Sequence, residues 1–210
     1  MKREASCKLK LFEIALLIGL ALFLASGALA LQAGDQLSDR VVRLHVLANS
    51  DSREDQDLKL RVRDRVLALT EPLLRRAGSR REAETMLREQ LPVLERAARE
   101  EILASGYDYP VSIRLEETNF PTREYDGFTL PAGRYLALRV LIGEAGGQNW
   151  WCVVFPPLCT TAAADVPAAS LAAGLTEEQV GLITESDGGY VLKSKLVEFW
   201  QSLRAASQPG

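Results

Sequence analysis

The sequence predicts an α+β protein: a single domain with a mainly antiparallel sheet packed against two or three helices, preceded by an N-terminal signal segment. Three observations predict it. Residues 41–48 alternate apolar and polar, then give way after a four-residue polar break to apolar residues at helical spacing. After Gly106 the period changes from 3.6 back to 2. The first thirty residues stand apart from both patterns, with a basic start and a long apolar run.

Positions 1–10 carry Lys2, Arg3, Lys8 and Lys10, and no charged residue occurs from 14 to 31. That is a basic n-region before an apolar h-region. Ala28-Leu29-Ala30 places small residues at −3 and −1, so cleavage after Ala30 is expected. An uncleaved anchor is the competing reading: the run of about 18 residues lies at the lower edge of a bilayer span, and Gly19, Ser26 and Gly27 weaken it as a helix. Both readings export residues 31–210. Cys7 precedes the apolar run, the wrong side for a lipoprotein acylation site.

Residues 31–40 form a polar lead-in to the core, residues 41–159. In its first strand Val42, Leu44, Val46 and Ala48 share one parity and Arg43 and His45 the other, a half-buried strand with His45 as a structural hydrogen-bonding residue. Asn49, Ser50 and Asp51 read as turn residues. Ser52 is the expected N-cap of a helix whose first turn holds Glu54, Asp55 and Asp57 and whose apolar stripe is Leu58, Val62, Val66, Leu69 and Leu73. Capping explains these carboxylates better than a cation site, because the spacing lacks the glycine and distal glutamate of a calcium loop. Ser79-Arg80-Arg81-Glu82 is a capping box opening a second helix, with Ala83, Leu87, Leu91, Leu94, Ala98 and Ile102 as its stripe and Gly106 as its stop. Pro92 is expected to kink or split it.

Val111, Ile113 and Leu115 alternate with Ser112, Arg114 and Glu116 in a strand with one wet face, and residues 120–125 look like a further extended piece held to an edge by Pro121. Residues 134–142 and 150–155, joined by a glycine-rich loop, read as a hairpin in the middle of the sheet. Residues 160–186 are expected to be a loosely structured alanine-rich connection, and residues 187–210 a turn and a C-terminal amphipathic helix with Leu192, Leu196 and Phe199 on one face.

Removing the four basic and two acidic residues of positions 1–30 from 25 and 28 leaves a net charge of −5 on the exported part. A nucleic-acid binder needs a basic face, so none is expected. The local cluster Arg75, Arg76, Arg80 and Arg81 reads as a solvated helix-helix turn. Cys152 and Cys159 are seven steps apart on the oxidising side of a membrane; a disulfide, two buried thiols or a reactive pair all remain open, and Pro156-Pro157 lies where the required chain reversal could occur. Without further ligands they make a poor zinc site. His45 is the sole histidine, so a hydrolase would have to combine Ser50, His45 and Asp51. Three residues in one strand and its turn rarely converge, and Ser50 lacks a nucleophile-elbow pattern.

Two motifs carry a resemblance. Asn149-Trp150-Trp151-Cys152-Val153-Val154-Phe155-Pro156-Pro157-Leu158-Cys159, taken with Arg43-Leu44-His45-Val46-Leu47-Ala48-Asn49-Ser50-Asp51-Ser52, Glu54-Asp55-Gln56, Leu58-Lys59 and Val62-Arg63-Asp64, closely resembles the stage II sporulation protein R family. Phe120-Pro121-Thr122 and Leu130-Pro131-Ala132-Gly133 with Tyr135 look like the same family. The signature positions are Arg43, His45, Asn49, Ser50, Asp51, Asp55, Asp64, Trp150 and Trp151. The resemblance runs from about residue 40 to 158. It implies a signalling protein and not an enzyme, with neither cofactor nor metal. Such proteins are made in the forespore and exported into the space between forespore and mother cell. There they trigger a membrane-embedded aspartic protease, stage II sporulation protein GA, which cleaves the sigma-E precursor. Exposed aromatics are the first candidates for the contact, namely Tyr125, Trp150 and Trp151, of which at least one tryptophan should be core because the two alternate.

Overall fold

The computed structural model describes residues 16–21, 23, 24, 37–159 and 166–184. Strand β1 (Val42–Leu47) leads into helices α1 (Arg53–Leu74) and α2 (Arg80–Ala104). Strands β2 (Val111–Phe120), β3 (Arg123–Tyr125), β4 (Phe128–Leu130), β5 (Gly133–Ile142) and β6 (Asn149–Phe155) follow, then helices α3 (Val166–Ala172) and α4 (Glu177–Thr184). The predicted C-terminal helix lies outside the described residues, as do the cleavage site and most of the signal segment. Residues 16–21, 23 and 24 are helical, with Leu16, Leu17, Ile18 and Leu20 exposed. Among the described residues no helix is long and apolar enough to cross a membrane.

The main sheet is mixed, in the order β2-β5-β1-β6. β1 runs parallel to β5 and antiparallel to β6, and β2 runs antiparallel to β5. This corrects the hairpin expected over 134–155: β5 and β6 are not neighbours, because β1 lies between them. Two apolar strands and a short loop are compatible with either arrangement, since six loop residues easily span the roughly 10 Å across two strand spacings. The inserted strand wins the central position because it is buried on both faces. Arg43 and His45, expected on a half-wet parity, are both buried, Arg43 as fully as Val42 and Leu44.

One face of the sheet carries Leu44, Val46, Leu138, Val140, Ile113 and Cys152 against Leu58, Val62 and Val66 of α1 and Leu87, Leu94 and Ile102 of α2. The fully buried stripe of α1 continues through Thr70 and Leu74; Leu69 packs against the core while only partly buried, and Leu73 is partly buried as well. Thr70 can sit on the apolar face because its hydroxyl donates to the Val66 carbonyl at 3.0 Å. Ser52 and Ser79 cap α1 and α2 as expected, but Glu82 reaches back to the Gly78 N–H (2.9 Å), one residue before the cap. At the end of α2, Gly106 takes φ +86°, and Tyr107 N donates to the Ile102 carbonyl, which closes a Schellman motif. Pro92 does not split α2. It lies on the exposed side, so the carbonyl it leaves unbonded faces water, while Leu87 and Leu94 hold both flanks to the core.

The other face is covered at one end only. Phe120, Tyr135, Ala137 and Val153 meet Leu37, the β3–β4 ribbon through Phe128 and Leu130, and Val166, Leu175, Val180 and Ile183 from the α3–α4 region. The alanine-rich stretch is therefore not a loose connection where it is described, since residues 166–172 form a helix with Val166 and Ser170 buried.

Candidate functional site

The turn after β1 is a clasp. Asn49 Nδ2 and Ser50 Oγ both donate to one Asp55 carboxylate oxygen, at 2.9 and 2.6 Å. Ser52 Oγ accepts from Asp55 N at 3.2 Å, and Gln56 Nε2 donates to the Ser50 carbonyl at 2.8 Å. Burial alone would raise the Asp55 carboxyl, but hydrogen bonds from Ser50, Asn49, Tyr109 and Ser52 hold it below its ordinary value. The same turn then grips the loop between β5 and β6. Gly146 N and Gly147 N donate to the Asn49 and Ala48 carbonyls. Glu144 N bonds Asn49 Oδ1 at 3.0 Å, and Gln148 N bonds Asp51 Oδ1 at 2.7 Å. Buried Lys59 donates to the Gln148 carbonyl at 2.9 Å. A Cβ on Gly143 would lie 2.1 Å from Asn49 Oδ1, and one on Gly147 would lie 2.2 Å from the Ser50 carbonyl oxygen. Asn49, Ser50, Asp51 and Asp55 thus hold the two halves of the sequence motif together.

The residues a hydrolase would need are engaged separately. His45 Nε2 is 2.6 Å from Asn149 Oδ1, Ser50 serves Asp55, and Asp51 receives Gln148 N. No nucleophile-base hydrogen bond links them. Burial depresses the His45 pKa, helped by Arg139 and Arg43 and opposed by the Asn149 bond, so the ring is neutral. Between α1 and the Cys152–Cys159 loop lies a cleft of about 10 Å³, lined by Leu67, Thr70, Glu71, Val153, Val154, Pro157 and Cys159, with room for one water but no substrate. The cysteines are disulfide-bonded, with Cα atoms 5.5 Å apart across a reversal at the cis Phe155–Pro156 bond.

The arrangement suits binding. On the half of the sheet face left open by the β3–β4 ribbon and the α3–α4 region, Leu47, Arg114, Glu116, Arg139, Leu141, Asn149 and Trp151 are half-buried or exposed. Strand register places them together, with His45 opposite both Arg139 and Trp151, and Arg114 opposite Arg139. Arg139 pairs with Glu116 at 2.5 Å, and Arg123 stacks over Trp151 at 4.0 Å. Three arginines against one carboxylate make this patch basic on an acidic protein.

The structure separates the three aromatics expected to meet a partner. Trp150, 36% exposed, lies on the helix-covered face beneath Arg63 at 4.2 Å, and Asp64 is exposed beside it in an ion pair with Arg63 at 2.7 Å. Trp151 belongs to the opposite face and packs partly into the core. Tyr125 is half-buried, its hydroxyl accepting from buried Arg43. Sequence reasoning missed Arg123 and Arg139, and it placed Asn149 in a motif without a role. A lone charge in the otherwise apolar residues 135–142 was the available signal for Arg139; nothing local marks Arg123.

Fold and site together define a small mixed-sheet α+β domain with an open face that carries arginines and aromatics, in which Ser50, His45 and Asp51 do not assemble. The chain belongs to the stage II sporulation protein R family, whose model matches residues 38–165. Stage II sporulation protein R of Bacillus subtilis (strain 168) is 38% identical over 123 residues, 59% of this chain and 55% of that protein, so the match spans about half the relative's length. No solved structure matches the chain.

Proposed function

We propose that this protein is an exported sporulation signal, released from the forespore into the space between the two membranes. There it binds and switches on the membrane-embedded aspartic protease that processes the sigma-E precursor. The observation that carries this reading is the family match, because it spans every strand of the domain and both signature motifs. The open sheet face supports it by offering Trp151, Arg123 and Arg139 as a contact surface, with Trp150 and Tyr125 as contacts reached from other sides. In this reading the chain works by contact and does no chemistry of its own.

The test is reconstitution in a host that does not sporulate, co-expressing the protease, the sigma-E precursor and this chain. Precursor cleavage should require all three. Arg139→Glu and Trp151→Ala should each lower cleavage about tenfold or more, the equivalent of 1.4 kcal/mol of lost binding, at unchanged exported protein level. His45→Ala should act only through lost stability. No cleavage despite correct export would overturn the proposal. Ester or peptide hydrolysis by the purified chain that vanishes in His45→Ala would replace it with an enzyme.

A further inference from the structure

Arg43 is 0% exposed and faces no carboxylate among the described residues. Its guanidinium lies over Phe120 at 4.0 Å and near Tyr135 and Tyr125 at 5.0 and 5.9 Å from the ring centroids. Nη2 donates to the Tyr125 hydroxyl, while Nε and Nη1 have no hydrogen-bond partner among the described residues. The Tyr135 hydroxyl donates its proton to the Pro131 carbonyl at 2.8 Å. Arg123, the other cation acting on Arg43, repels it. Ring faces attract a cation but leave its N–H groups unanswered, and buried arginines otherwise meet a planar anion through paired donors.

Tyr125 reaches this group from a short ribbon. Tyr125 ends a three-residue strand that pairs only with β4, in a ribbon separate from the main sheet. Beyond it the chain turns at Asp126 and at Gly127 with φ +81°. Swinging Tyr125 aside frees Nη2, so that either edge of the guanidinium presents two parallel donors inside an aromatic box.

We propose that Arg43 is a carboxylate-binding site gated by Tyr125, in which the anion replaces the tyrosine hydroxyl. The site is distinct from the open face and does not depend on which protein this chain activates. The carboxylate comes either from an acidic side chain of another protein or from a small free acid.

The test follows the Arg43 Nε–H resonance in the ¹⁵N-labelled full chain purified in mild detergent, assigned by its loss in Arg43→Lys. Sodium propionate and a blocked Gly-Glu-Gly peptide are titrated against sodium chloride at matched ionic strength. The carboxylates should produce a saturable shift that chloride does not, and Tyr125→Phe should lower the half-saturating concentration several-fold. A peptide effective about tenfold below propionate identifies a protein side chain as the source, and equal concentrations identify a free acid. If Arg43→Lys does not fold, comparison of wild type with Tyr125→Phe carries the test. Identical responses to carboxylate and chloride in both proteins would overturn the site.

Discussion

Asp55 closes the turn between β1 and α1 by accepting from two side chains at once while its own N–H is capped by Ser52. Asp55→Ala strands those part-buried donors and removes the buried carboxylate, and should cost roughly 2–4 kcal/mol in urea unfolding. His45 gives the molecule a pH dependence. Its folded pKa lies below the unfolded 6.5 because of burial first and the cations Arg139 and Arg43 second. Above 6.5 both states are neutral and the group contributes no slope. As pH falls below 6.5 the unfolded chain takes up a proton that the folded one refuses, so stability declines until the folded pKa is passed. His45→Gln should abolish that decline in unfolding measured from pH 7.5 to 5. An unchanged slope would mean that another group sets it.

At the scale of elements, the deciding feature is a loop. The 143–148 connection passes over the end of β1 at backbone distance, which requires glycine where a side chain would strike the Asn49–Ser50 turn. Gly147→Ala should therefore lose about 2–4 kcal/mol, since the obstacle is the Ser50 carbonyl, while Gly146→Ala, 3.5 Å from the Asn49 carbonyl oxygen, should cost less than about 1 kcal/mol. Comparable losses would refute the clasp. Glycines 143, 146 and 147 were visible as a loop in the sequence; that the loop straddles another strand was not. Helix caps were legible because Ser52 and Ser79 act on backbone groups three residues away. Leu69 does pack against the core, but Thr70 and Leu74 hold the fully buried places; periodicity ranks leucine above threonine and cannot foresee a hydroxyl satisfied by its own helix.

Across the whole molecule, the disulfide ties the middle of β6 to the loop that follows it and should contribute roughly 2–3 kcal/mol for a ring of about eight residues. Thermal melting with and without reductant, alongside a Cys152→Ala/Cys159→Ala variant, should show the same loss. A melting point indifferent to reductant would mean that the thiols are not bonded in the protein. The open half of the sheet face belongs to this scale as well, because it exists only where the β3–β4 ribbon and the α3–α4 region stop.

The sequence by itself determined the α+β class, the capped helices, the extended segments and, through two long motifs, the family. These follow from local physics or from direct residue identity. Only the tertiary structure decided that β1 lies between β5 and β6, that Arg43 and His45 are enclosed, and which face each of Trp150 and Trp151 serves. Strand period records which side chains share a face but not which strand lies alongside. That choice falls to long-range packing, where the strand able to be buried on both sides takes the centre.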